Sequence, residues 1–237
     1  MDFSWLIDTP IAHRGLWDET YPENSLGAYE KAIEKGFNIE IDVHLLADGE
    51  FAVFHDNGTA RMCGKKAKVS SLTAADLKNF KLKGTEYYIP TLKEFLDLVD
   101  GKVGLLIEMK DTTNRKGASE KLYEYLKDYK GKYAIQSFFL PVLKWWRDNT
   151  TDIPVGVLAT GVLNDWQLPF FKKKVKPDFY AFDIIFLPFP FVMNQQKKGV
   201  KLLSWTIKTD ERLAKAKKVG VDNVIFDHIR IDSYSKE

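Results

Sequence analysis

Short apolar runs alternate with amphipathic segments along nearly the whole chain. The runs "PIAHRG", "FNIEIDVHLL", "FAVFHD", "VGLLIEMK", "KYAIQSF", "IPVGVLA", "FYAFDIIF", "KLLSWTI" and "DNVIFD" are rich in β-branched and aromatic residues and predict strands. Between most of them lie segments with helical spacing: "ENSLGAYEKAIEKG", "TLKEFLDLVDG", "KGASEKLYEYLKDY", "LPVLKWWRDN", "LNDWQLPFFKKK", "FVMNQQKKG" and "DERLAKAKKVG". Two carry their own start and stop signals. In the first, Asn24 or Ser25 offers an N-cap, Leu26, Tyr29 and Ile33 form an apolar stripe, and Gly36 closes the end. The last repeats this grammar, with Thr209 or Asp210 as cap and Gly220 as stop.

Strand–helix alternation of this kind predicts a parallel sheet, and about eight units in a chain of 237 residues favour a TIM (β/α)8 barrel over an open sheet. "VHLLADGEFAVFHD" breaks the alternation. It reads as a hairpin with Asp48-Gly49 at the turn, adding an antiparallel partner to the second strand. The whole of 1–237 then forms one barrel domain.

Composition removes several function classes. A hydrophobic share of 45% and a charged share of 29% are ordinary for a globular protein. A net charge of +2 gives no reason to expect nucleic acid as a partner. Cys63 is the single cysteine, so no intrachain disulfide forms, which fits a reducing, cytoplasmic setting. "MDFSWLIDTP" lacks the basic and apolar regions of a signal peptide. No apolar run approaches the roughly 20 residues of a membrane span; the longest, "FDIIFLPFPFV", starts with an acid and contains two prolines.

The second strand carries the first chemical signal. Side chains alternate across a strand, so Glu40, Asp42 and His44 share one face and Ile39, Ile41 and Val43 the other. Carboxylates two residues apart stand about 7 Å from each other and repel when buried unpaired. A divalent cation resolves that cost; ion pairs with lysine are the plainer alternative. "GLLIEMK" places Glu108 and Lys110 at the same spacing in a buried strand, either as a structural ion pair or as a further acid at the same barrel mouth. An all-oxygen cluster of Glu40, Asp42 and Glu108 suits Mg²⁺ or Ca²⁺ better than zinc or copper.

His13 ends the first strand and His55 the hairpin strand, two imidazoles able to divide proton transfer between them. Asp56 either orients a histidine or caps the turn. Arg14 has the bidentate geometry that suits phosphate.

These pieces occur in order: "HRG" with "PENS", "EIDVHLLADG", "FHD", "IPTL" before "IEMK", and "WTIK". The set resembles the glycerophosphodiester phosphodiesterases and spans residues 13–208. The resemblance implies a TIM barrel with a small insertion after the second strand, here about 50–100. It implies His13 and His55 as general acid and base, and Glu40, Asp42 and Glu108 as ligands of one divalent cation. It further implies phosphate or substrate contacts by Arg14, Lys110, Asn24 and Trp205. The chain departs from the family pattern at Leu46-Ala47 before the Asp-Gly turn and at "FDHI" in the last strand, Phe226 to Ile229.

The leading expectation is therefore metal-dependent hydrolysis of a small-molecule glycerophosphodiester to glycerol 3-phosphate and an alcohol. One alternative is lysophospholipase D-like cleavage on the same site, with the aromatic stretch Phe186 to Phe191 making weak lipid contact; packing against the barrel is the favoured reading of that stretch. A non-catalytic barrel that binds phosphate ligands is the third. A zinc amidohydrolase is disfavoured, because no His-X-His pair occurs.

Overall fold

The computed structural model describes residues 3–110, 115–161, 167–229, 231 and 234. Its strands are β1 (Ile11–His13), β2 (Asn38–Leu45), β3 (Phe51–Val53), β4 (Leu105–Met109), β5 (Tyr133–Ser137), β6 (Val155–Ala159), β7 (Phe179–Asp183), β8 (Lys201–Ile207) and β9 (Asn223–Phe226). The fold is a (β/α)8 barrel, to which β3 is the antiparallel addition. The chain divides into two compact units, Ala12–Lys132, and Met1–Ile11 with Tyr133–Glu237.

In the first unit β2 pairs antiparallel with β3, with Val43 opposite Val53 and Leu45 opposite Phe51, as the Asp-Gly hairpin predicts. On its other edge β2 runs parallel to β4, and this register sets Asp42 beside Glu108. All of β2 but its last residue is buried, including Glu40, Asp42 and His44. A strand that is polar on one face yet covered on both marks where chemistry is concentrated.

The helix Leu26–Glu34 forms where the apolar stripe predicts. Ser25 is its cap, with Oγ accepting the Ala28 N–H at 3.2 Å. Asn24 has another task, described below.

The segment after β3 contains two short helices, Ala60–Cys63 and Ala74–Leu77, and then the helix Leu92–Val99, closed by a Thr91/Glu94 capping box. It has an apolar cluster of its own. Met62, Val69, Leu77, Leu82 and Ile89 pack with Leu46, Ala52 and Phe54 of the hairpin region. Each of the larger side chains contributes about 1.5–3 kcal/mol on burial, enough to give a loop-rich segment a defined shape.

In the second unit β5, β6, β7, β8 and β9 are successive parallel neighbours. Helices Leu140–Asn149, Gln167–Val175, Pro190–Lys197 and Asp210–Val219 lie between them in sequence. The predicted "LNDWQLPFFKKK" helix starts at Gln167; residues 162–166 lie outside the described ones. Thr209 caps the last helix and Gly220, with φ of 75°, ends it.

Two features were not legible in the periodicity. A short helix, Ser4–Asp8, precedes β1. Asn223 holds the turn after it, donating to the carbonyls of Leu6 at 2.8 Å and Thr9 at 2.7 Å. The run "FYAFDIIF" predicts one continuous strand, but β7 stops at Asp183 and residues 184–186 turn into a 3₁₀ helix. The Asp183 carboxylate accepts the Ile185 N–H at 2.9 Å, a local bond that replaces the strand ladder.

Candidate active site

The site is assembled in the Ala12–Lys132 unit, beginning where β1 ends at His13. The chain then turns through Arg14, with φ of 60°, and Gly15, with φ of 84°. A Cβ on Gly15 would lie 2.8 Å from the Ala28 backbone, so both the dihedral and the close approach require glycine. Asn24 is also left-handed, with φ of 57°. Such conformations cost of order 1–3 kcal/mol and persist when the surroundings over-determine them. Here Arg14 N–H donates to the Glu40 carbonyl at 3.0 Å, and Asn24 N–H donates to the Arg14 carbonyl at 3.1 Å.

Strand alternation puts Glu40 and Asp42 on one face, and the β2–β4 register brings Glu108 alongside. One carboxylate oxygen from each lies within 4.8 Å of the others, and all three residues are buried. Two cations face them. Arg14 Nε is 3.3 Å from Asp42 Oδ2, and Lys110 Nζ is 3.1 Å from Asp42 Oδ1 and 2.6 Å from Glu108 Oε1. The Glu108–Lys110 ion pair is therefore present, but inside a larger cluster. Asn24 Nδ2 donates to Asp42 Oδ2 at 3.3 Å and is itself aimed by the Tyr29 hydroxyl, which donates to Asn24 Oδ1 at 2.7 Å.

The titration behaviour reports how crowded the negative charge is. Burial, Asp42 and Glu108 push the Glu40 carboxyl well above the usual carboxylate range. Burial and Asp42 raise Glu108 to about 7 against the pull of Lys110. Burial works the same way on Asp42, but Lys110 and Arg14, helped by His55 and His13, hold it far below its ordinary value. Both imidazoles thus lie within electrostatic range of Asp42.

With all three acids ionised, two fixed cations leave one negative charge uncompensated, and without a further cation that excess favours a proton on Glu40 and Glu108. Asp42 Oδ1 is buried, and among the described residues its partner is the ion-pair contact to Lys110 Nζ at 3.1 Å rather than a hydrogen bond. An all-oxygen set of this spacing fits a hard divalent cation, which would take the place of those protons.

His55 follows β3. Its Nδ1 lies 2.7 Å from Asp56 Oδ1. Burial lowers the imidazole pKa in spite of the attraction of Asp42. Burial opposes ionisation of Asp56 too, yet its bonds to Arg61 and His55 keep it below the carboxylate range. An ionised Asp56 accepts the Nδ1 proton, which makes Nε2 the basic nitrogen of a neutral His55. His44, also on the polar face of β2, sets Nε2 3.2 Å from the His55 carbonyl; since a carbonyl only accepts, that nitrogen carries the proton. Asp56 therefore orients the histidine, one of the two roles its sequence left open.

Two residues escaped the sequence reading. Glu23, beside Asn24, accepts from Arg14 Nη1 at 2.8 Å. Arg61 binds both Glu23 and Asp56. Glu23 stands in the quoted "PENS" piece, so a signal was present. Arg61 sits on a four-residue helix, too short to leave a periodic cue. Trp205 belongs to the other unit, on β8, where its indole N–H donates to the Ala181 carbonyl at 2.9 Å and its ring meets Phe138 edge-on.

Comparison with known proteins identifies the family of the chain. The pattern of the glycerophosphoryl diester phosphodiesterase family matches residues 13–231. This chain belongs to that family. A glycerophosphodiester phosphodiesterase of Caldanaerobacter subterraneus subsp. tengcongensis is 31% identical over 229 residues, covering 92% of this chain and 93% of that protein. A lysophospholipase D of Rattus norvegicus is 25% identical over 245 residues, covering 92% of this chain and 72% of its own length. Among solved structures, a glycerophosphodiester phosphodiesterase from Thermotoga maritima is 26% identical with a TM-score of 0.76, covering 92% of this chain and 94% of that one. A phosphodiesterase from Oleispira antarctica, solved with its product sn-glycerol-3-phosphate, shares the fold at a TM-score of 0.84 and 24% identity, covering 94% and 93%. Members of the glycerophosphoryl diester phosphodiesterase family are enzymes, and this chain carries the family pattern over residues 13–231.

Proposed function

We propose that the chain hydrolyses glycerophosphodiesters to glycerol 3-phosphate and an alcohol. In this reading Glu40, Asp42 and Glu108 hold one divalent cation, Mg²⁺ or Ca²⁺, and His13 and His55 share the proton transfers. The observation that carries it is the convergence of three buried carboxylates within 4.8 Å, beside Arg14 and Lys110. The cation, when bound, supplies Lewis-acid neutralisation of charge developing on a phosphate oxygen.

Arg14 and Lys110 contribute fixed N–H donors for the phosphate, and Asn24 steadies the carboxylate end of the site. His55, neutral and with Asp56 on its Nδ1, takes the proton from the attacking glycerol hydroxyl through Nε2. His13 gives a proton to the departing alcohol. The hydroxyl oxygen forms its bond to phosphorus as the bond to the alcohol breaks, leaving a cyclic phosphate that water then opens. Trp205 enters the reading as a substrate contact on the family resemblance; a raised KM in Trp205→Ala supports that and an unchanged one removes it.

The test is turnover of glycerophosphocholine by His13→Ala and His55→Ala, with and without chelator. Each variant should lose at least about 10²-fold in rate, and chelation should abolish wild-type activity until Mg²⁺ or Ca²⁺ is restored. Near-wild-type turnover in either variant removes that histidine from the mechanism.

A second reading is cleavage of lysophospholipids on the same site. Ile185 and Phe186 are exposed at 57% and 38%. The rest of the stretch favours packing, since Phe189 stacks on Phe182, Phe191 meets Tyr180 edge-on and Leu187 is buried. Turnover of glycerophosphocholine against a long-chain lysolipid separates the two.

A further inference from the structure

The segment after β3 sends one side chain back to the histidine. Arg61 lies on the short helix Ala60–Cys63. Its Nε and Nη2 donate to Asp56 Oδ2 at 2.6 Å and Oδ1 at 3.0 Å. Its Nη2 and Nη1 donate to Glu23 Oε1 at 2.6 Å and Oε2 at 3.0 Å. Asp56 holds His55 and Glu23 holds Arg14. One planar cation thus joins the carboxylate that orients an imidazole to the carboxylate that orients a guanidinium.

The backbone under Arg61 is fixed from both sides. Met62 is buried in the apolar cluster of the segment. Thr59 is fully buried, its Oγ1 donating to the Lys65 carbonyl and accepting the Ala67 N–H at 3.0 Å. Gly64, with φ of 66°, ends the turn.

We propose that Arg61 is a positioning residue of this enzyme: it locks His55 and Arg14 into one geometry, so that the inserted segment takes part in catalysis through Asp56 and Glu23. This rests on the roles given above to His55 and Arg14. A lysine cannot replace it, because a single ammonium cannot span two carboxylates with parallel pairs of N–H donors. Its partners are Asp56 and Glu23, and none of Glu40, Asp42 and Glu108 is among its hydrogen-bond partners, so its loss should act on the rate far more than on cation binding, which it reaches only through Glu23 and Arg14. A purely structural arginine would behave otherwise: its loss would lower stability and leave the kcat of the folded fraction intact.

The experiment measures kcat on glycerophosphocholine, melting temperature and calorimetric Mg²⁺ affinity for the wild type, Arg61→Ala, Arg61→Lys and His55→Ala. We expect kcat of Arg61→Ala to fall on the order of 10- to 100-fold. Arg61→Lys should recover little of it. Millimolar methylguanidinium should restore part of the Arg61→Ala rate and leave the wild type unchanged, while Mg²⁺ affinity stays within about twofold. Where Arg61→Ala does not fold, a folded Arg61→Lys with kcat down at least tenfold carries the same conclusion. A folded Arg61→Ala with kcat within twofold of wild type overturns the proposal, as does full recovery by lysine. An inactive His55→Ala beside unaffected Arg61 variants defeats this inference alone; an active His55→Ala defeats the mechanism on which it rests.

Discussion

In the proposed reading, protons and a divalent cation compete for Glu108, and the buried carboxylates set the terms. Burial and the Asp42 carboxylate raise its pKa from 4.5 to about 7. That difference is about 3 kcal/mol of preference for the protonated form at this position. Between pH 4.5 and about 7 the folded, cation-free protein keeps a proton on Glu108 that the unfolded chain has lost. The contribution to stability is fully present below pH 4.5 and is gone once the pH has risen through about 7. A cation at the carboxylates requires that proton to leave. Its affinity should therefore climb roughly 25-fold between pH 5.5 and 7.5 from Glu108 alone, and Glu40, also raised, steepens the climb. The assay is calorimetric titration of chelator-stripped protein with Mg²⁺ or Ca²⁺ at pH 5.5, 6.5 and 7.5. Melting curves are taken with and without the ion. The cation-free protein should lose thermal stability as pH rises through this window, and the ion should restore most at the highest pH. Glu108→Gln should flatten the slope. Affinity that does not change with pH in the wild type, or a slope untouched in Glu108→Gln, would refute the reasoning.

Further predictions concern single contacts. Lys110→Met leaves Asp42 and Glu108 facing each other with one cation fewer, and should destabilise the chelated protein by about 3–5 kcal/mol in urea unfolding, with added divalent ion recovering part. Asn223→Ala strands the carbonyls of Leu6 and Thr9 beneath the N-terminal helix; a loss of about 1–3 kcal/mol with kcat unchanged is expected. Phe186→Ser should lower turnover of a long-chain lysolipid while sparing glycerophosphocholine, and equal effects on both would remove lipid contact from this loop.

Much of this protein was determined locally. Period-two alternation already placed Glu40, Asp42 and His44 on one face of β2, because a strand's geometry repeats within its own few residues. The same holds for the helix Leu26–Glu34, whose apolar stripe and Gly36 stop need no neighbours to be read. Even the hairpin was legible in Asp48-Gly49. Tertiary structure decided the rest. Asn24 and Ser25 were equal as caps until the Asp42 carboxylate, some 18 residues on, claimed the asparagine amide and left the helix to serine. Asp42 stands beside Glu108 only through the parallel register of two strands, which no local pattern encodes. Arg61 offered no periodic cue at all, since its meaning lies in two carboxylates, one of them 38 residues away in sequence. Periodicity reports how a segment meets solvent and core; a site made of opposed charges is specified by which segments meet each other, and only the folded chain settles that.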